Sequence, residues 1–343
     1  MRLGSPKPED ARYYKFAWNS AQSVPPIGQM DYQPKGGAVR MLTSGSFVPT
    51  RTKLSFPEVK FRNKLSALGF CAYCGRTHDS NNEQIVLTSE HIIPEFLGAG
   101  LELPEASCPD CQAVTSKFEN AIARDMFDPV RKHLAIPTKG SKEMRKGNFP
   151  VDVGREKTDN RIVPIADYPT IITLPIFFPA PTYSSARFGA NGLNNFLIYN
   201  LNVNPEALAS YGIDGFCTQS VDVVRFCQML AKIAHVAVVA ELGLDLFQPF
   251  LTDFIRTDMP KDARSAAHFD HVGCIREASG PSSSDLHEIE VGNITWEGAV
   301  MIGARVRLFA KYGFPSYHIA VGSLPPPGGL NPALEVALPQ GQR

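Results

Sequence analysis

The clearest periodic pattern in the chain lies at about residues 220–242. There Val223, Phe226, Cys227, Leu230, Ile233, Ala234, Ala237 and Val238 recur at helical spacing. The pattern predicts a long helix with one apolar stripe facing a core and Ser220 as its N-cap. Runs rich in β-branched and aromatic residues predict strands at 170–178, 195–202, 300–310 and 317–322. Residues 149–325 therefore read as an α+β unit, with a long helix and an antiparallel sheet. Residues 1–60 lack a long periodic run and read as an irregular arm. Residues 326–343 are rich in proline and glycine and read as a flexible tail.

Residues 61–148 form a third segment. Residues 85–88 are a short β-type run that leads into Glu90 and His91. Ser116-Lys-Phe-Glu119 has the form of a capping box, with Phe118, Ile122 and Met126 at helical spacing behind it. Asp128-Pro129 predicts a fresh N-cap and first helical position, so a second short helix is expected to about Leu134.

Charge sharpens this division. The formal net charge is zero, but residues 1–150 carry 20 Lys/Arg against 15 Asp/Glu, and the remainder carries 14 against 19. Arg51, Lys53, Lys60, Arg62 and Lys64 precede the first cysteine pair. Arg131, Lys132, Lys139, Lys142, Arg145 and Lys146 follow the second. Two basic flanks around an acidic centre suit a polyanion held beside a metal. Solvated surface charge is the competing reading for any one of these residues. The opening MRLGSPKPEDARYYKF is polar, and polar residues interrupt the long apolar stretch. Neither reads as a leader or a membrane span, so a cytoplasmic protein without a membrane partner is expected.

The cysteines carry the strongest chemical signal. Cys71-Ala-Tyr-Cys74 and Cys108-Pro-Asp-Cys111 are two CxxC pairs with 33 residues between them. Two thiolates on each tight turn can complete a tetrahedral Zn2+ shell with no open position, which is a structural site. Gly75 suits a turn that needs positive φ. Cys217, Cys227 and Cys274 read as small buried residues. His91 lies 17 residues after Cys74 and 17 before Cys108, midway along the loop that the zinc would close. A neutral imidazole held there could take a proton from water, and the adjacent Glu90 could hold a divalent cation.

Taken together, the CxxC pair, LTSEHIIPEFLG and CPDCQAVTSKFEN resemble the HNH endonuclease superfamily over about residues 66–125. They are most similar to the branch with CxxC, E-H-x-I-P-x-x-L-G and C-x-x-C-N in that order. The resemblance implies a ββα-metal, treble-clef-like zinc domain at 61–148. It implies a hydrolase, a metal-dependent endonuclease acting on nucleic acid, with DNA the expected substrate. His91 matches the general base, and Glu90 matches a ligand of a catalytic Mg2+ or similar ion. Gln112 stands where the family has an asparagine that braces the loop. The family's third position falls at Asn120, with Glu119 beside it, and either could supply an oxygen to the metal. Glu119 also reads as the closing residue of the capping box. Arg62, Lys64, Lys117, Arg131 and Lys132 are the candidates for backbone phosphates. The alternative is a non-catalytic zinc module that binds nucleic acid or protein.

Overall fold

The computed structural model describes residues 12–15, 30–31, 44–59, 61–98, 100–136, 147–153, 159–185, 192–218, 221–259, 270–275 and 283–324. The expected tail at 326–343, Ser220, Lys60 and the basic run from Lys139 to Lys146 lie outside these residues.

The principal sheet is antiparallel. Its strands β1 (Ser46–Phe56), β7 (His287–Trp296), β8 (Ala299–Arg307) and β9 (Ser316–Ser323) lie side by side in that order. The short strands Gln248–Pro249 and Val272–Gly273 both pair with β9. Strand β1 corrects the expectation of an irregular arm, because eleven of its residues form one edge of this sheet. An edge strand keeps much of its surface in water, so β1 shows no apolar run. Its Pro49 is tolerated at an edge. Pro49 pairs with Gly292, where a Cβ would stand 2.3 Å from the Val48 carbonyl oxygen, so only glycine lets the two backbones approach. Strands β5 (Thr170–Phe177) and β6 (Leu193–Asn202) lie close to the expected bounds and pair antiparallel in a second sheet, which Met30–Asp31 joins at β6.

The zinc-type segment builds a smaller sheet. Strand β2 (Arg62–Lys64) runs parallel to β4 (Gly100–Ser107), and β3 (Thr88–His91) runs antiparallel to it. Strand β3 begins where the expected run at 85–88 ends. The Ile85 N–H is already taken by the Thr77 carbonyl, in a hairpin closed by the His78–Gln84 bridge. Helix α1 (Pro109–Asp125) follows β4 directly. It starts seven residues before the expected capping box, because Pro109 fits the first helical position and Cys108 serves as N-cap. Ser116 and Glu119 therefore lie within the helix. Helix α2 (Asp128–His133) follows nearly as expected.

Helix α3 (Val223–Leu242) is capped by Asp222, whose side chain accepts from the Arg225 N–H. Its apolar stripe was expected to face one way. Instead the helix is buried all round, from Val224 to nearly its last turn apart from the partly buried Arg225. It lies between the principal sheet and helix α1, so every face finds a partner. By length and a mean hydropathy of 1.6 it would pass for a membrane span, but 83% of that window is buried within the fold. The burial accounts for the composition.

One large buried cluster runs across the expected boundary near residue 148, and a smaller one lies wholly beyond it. Ile92, Leu97, Phe118 and Phe127 share one cluster with Phe226, Ile233, Ile289 and Phe309. Phe127 is fully buried and stacks between Phe226 and Phe309, with Phe96 at its edge. Phe127→Ala is expected to cost about 3–5 kcal/mol and to unfold both segments in one step. Denaturant titration followed by circular dichroism checks this.

Two fully buried histidines, His235 and His287, are kept neutral, and burial brings each down to about 4. The unfolded chain takes up these protons near pH 6.5 and the folded chain does not. Stability from this source is thus complete above pH 6.5 and is lost as pH falls toward 4. Thermal melts of the His235→Gln variant should show a weaker dependence across that window than the parent.

Candidate metal centre and the Glu90–His91 site

The two CxxC turns meet at the base of the small sheet. The first turn is held by the Gly75 N–H on the Cys71 carbonyl at 2.8 Å, and Gly75 has φ +71°, as the sequence leads one to expect. The Ala72 N–H donates to the Ala106 carbonyl and ties this turn to the end of β4. The second turn runs straight into α1. All four Sγ atoms lie within 4.8 Å of one another. Cys74 Sγ and Cys108 Sγ are 3.8 Å apart. A tetrahedron with metal–sulfur bonds of about 2.3 Å has edges of about 3.8 Å. The four cysteines can hold a metal ion such as zinc.

One member of this centre escaped the sequence reading. Arg76 donates from Nε to Cys74 Sγ at 3.3 Å, and from Nη2 to Cys108 Sγ at 3.6 Å and to Asp110 Oδ2 at 2.7 Å. A guanidinium over two thiolates offsets the excess negative charge of a four-cysteine shell. A cleft of about 400 Å3 opens beside the turn, lined among others by Tyr73, Cys74, Leu244, Phe250 and Arg256. None of Glu90, His91 or Glu119 lines it.

Those three residues lie at the other end of the small sheet. Strand β3 carries a bulge between Thr88 and Glu90 and then pairs Glu90 with Leu103 and His91 with Glu102. Alternation along the strand turns Glu90 inward and leaves the His91 side chain 30% exposed. Ile92 and Ile93 are fully buried and fasten the chain just after the pair. Pro94 opens a 3-10 turn over Glu95–Leu97, which ends at Gly98 with φ +94°.

The principal partner of this site comes from helix α3. Lys232 is fully buried, and its Nζ lies 2.6 Å from Glu90 Oε1 and 3.0 Å from Glu119 Oε1. The same ammonium donates to the His91 backbone carbonyl. Burial opposes the lysine charge, but the two carboxylates outweigh it and hold its pKa above the ordinary value. Burial, with Glu90 adding to it, raises the Glu119 carboxyl against the pull of Lys232. The Tyr73 hydroxyl, buried beside these acids, is raised well above its usual range. His91 is lowered, by burial first and by Lys232 next, while Glu95 and Glu90 oppose the shift. Its Nε2 lies 3.4 Å from Glu95 Oε1, and its Nδ1 is buried without a partner.

Two more donors reach the same segment from afar. His235 Nε2 bonds the Ala72 carbonyl at 2.8 Å and stacks on Tyr73. His287 accepts the Phe309 N–H at Nδ1, so its Nε2 carries the proton it donates to the Leu97 carbonyl at 3.0 Å. His287, like His235, supports the backbone around the site.

Of the other expected residues, Gln112 and Asn120 are exposed on α1. Among the described residues, no hydrogen bond joins the Gln112 side chain to His91. Glu119 is the α1 residue that meets Glu90, since a helix turns about 100° per residue and carries Asn120 outward. Arg62 Nη1 donates to the carbonyls of Val59, Phe61 and Gly98. Arg131 is half-buried, and burial lowers its pKa. Lys132 pairs with Asp128 at 2.8 Å and lies over the Tyr168 ring. These three serve the fold. Lys64 and Lys117 stay largely exposed in ion pairs with Glu102 and Asp258, which are weak contacts in water.

Metal analysis of the protein is expected to find about one ion per chain in the cysteine shell, lost in the Cys71→Ser/Cys108→Ser variant. Arg76→Ala should weaken retention by roughly 10–100-fold in a chelator competition. In comparisons with known proteins, no family model, no curated protein and no solved structure matches this chain.

Proposed function

We propose that the chain is a nuclease of the HNH type that hydrolyses phosphodiester bonds of nucleic acid, with His91 as the general base. The observation that carries this reading is the placement of Glu90 and His91. They close a strand that is followed by a second strand and a helix, with four clustered cysteines at the base. Strand, strand and helix in that order are what a ββα-metal finger requires. In this reading the cysteine shell holds Zn2+ as a structural ion, in a cytoplasmic setting where thiolates stay reduced.

The catalytic Mg2+ that the family resemblance implies does not fit the residues present. Glu90 and Glu119 already share the ammonium of Lys232. His91 is neutral near pH 7, because burial holds its pKa below 6.5. It takes the proton of the water whose oxygen attacks phosphorus; the ester P–O bond breaks, and the leaving oxygen takes a proton from solvent. The exposed Lys64 and Lys117 can turn toward backbone phosphates at little cost.

A second reading is favoured by the same lysine. With both acids tied to the ammonium of Lys232, the segment would serve as a zinc-stabilised module that binds nucleic acid or protein without cutting. Incubation of purified protein with plasmid and with RNA separates the two. The nuclease reading expects cutting that falls about 100-fold or more in His91→Ala. It also expects the acid limb of the rate profile below pH 6.5. Equal cutting by both proteins sinks the role of His91, and cutting by neither leaves the binding module.

A further inference from the structure

We propose that Lys232 is the resident cation of the Glu90–Glu119 site and stands where a divalent ion would otherwise be bound. The idea starts from the nuclease reading, but the claim about the cation stands on geometry alone. An ammonium has three N–H donors. Here three acceptors meet it, namely Glu90 Oε1, Glu119 Oε1 and the His91 carbonyl. One N–H bonds the His91 carbonyl, and both carboxylates lie at ion-pair distance from the same charge.

A divalent ion ligated by the same carboxylate oxygens would lie about 2.0–2.6 Å from each. That volume is taken by Nζ, at 2.6 and 3.0 Å from them. The two cations exclude each other by volume and by charge. Lys232 also has little freedom to leave. It is 0% exposed. Its helix is fastened one turn earlier by Gln228, which donates to the Phe254 and Thr257 carbonyls, and one turn later by His235 on Ala72. Glu119 comes from α1 and Glu90 from β3, so one side chain of α3 joins both halves of the expected metal shell.

Mn2+ binding to the full chain, followed by electron paramagnetic resonance, tests this without any assay of cutting. With the cysteine shell filled by zinc, the parent at about 1 mM Mn2+ should bind no more than Glu119→Gln does. Lys232→Met frees both carboxylates and should bind about one Mn2+ per chain, with a Tm that rises as Mn2+ is added. The Lys232→Met/Glu119→Gln variant should lose that response. Mn2+ binding by the parent that Glu90→Gln and Glu119→Gln each abolish overturns the proposal, as does a folded Lys232→Met that binds none. Should Lys232→Met fail to fold, the comparison of the parent with the two glutamine variants decides alone. A parent that binds Mn2+ at this site and cuts nucleic acid overturns the role of Lys232 and leaves the nuclease reading standing. A parent that is silent to Mn2+ and does not cut has the opposite consequence.

Discussion

A buried ammonium cannot stand alone in a protein interior, and the environment of Lys232 follows from that constraint. Its charge needs acceptors within hydrogen-bond reach, and the desolvation cost is offset only when all of them are well placed. The His91 carbonyl accepts a hydrogen bond from Lys232, and Glu90 and Glu119 lie at ion-pair distance. These groups come from β3 and α1, whereas Lys232 comes from α3, 141 residues beyond His91. The ion cluster therefore sets the position of the small sheet against the long helix. Removing one partner from such a cluster leaves an uncompensated charge and is far costlier than exchanging the whole cluster for neutral groups.

Two histidines act beside Lys232 as long-range donors to the same segment. His235 holds Ala72 in the first cysteine turn, and His287 holds Leu97 in the turn after Pro94. Each uses a side-chain N–H to satisfy a backbone carbonyl that packing would otherwise strand. The cysteine shell closes the small sheet at one end, while these donors hold it from the side. The cysteine turns and the contacts with distant segments thus divide the work of ordering the loop that carries His91. The pair lies at a seam between segments, where sites often form because two surfaces can contribute groups.

Much of this architecture was legible from local patterns. The CxxC turns with the positive φ of Gly75, helix α2 and the cores of β5, β6, β8 and β9 all rest on short-range chemistry. Strand β7 was not among the expected strands, because it is buried on both faces, with Ile289 and Val291 in the main core and Ile294 in a smaller cluster on the other side. Neither was strand β1, because an edge strand needs few apolar residues. The start of α1 was hidden by Pro109-Asp110, which suits a turn as well as a helix N-terminus. Glu119 looked like a cap because Ser116 stands three residues before it. Its partner lies on another helix, and no window around residue 119 contains it.

The sequence by itself determined the cysteine shell, the place of Glu90 and His91 midway between its two halves, and an α+β chain with one long apolar helix. Tertiary structure alone decided what surrounds them. It selected Glu119 over Asn120, turned Gln112 to solvent, and spent Arg62, Arg131 and Lys132 on internal contacts. It also brought Lys232 into the acid pair. The reason is physical. Ligand spacing and turn chemistry act over a few residues and leave a mark in the sequence. The compensation of a buried charge depends on which distant segments pack together, and a lysine within an apolar helix does not name its partners.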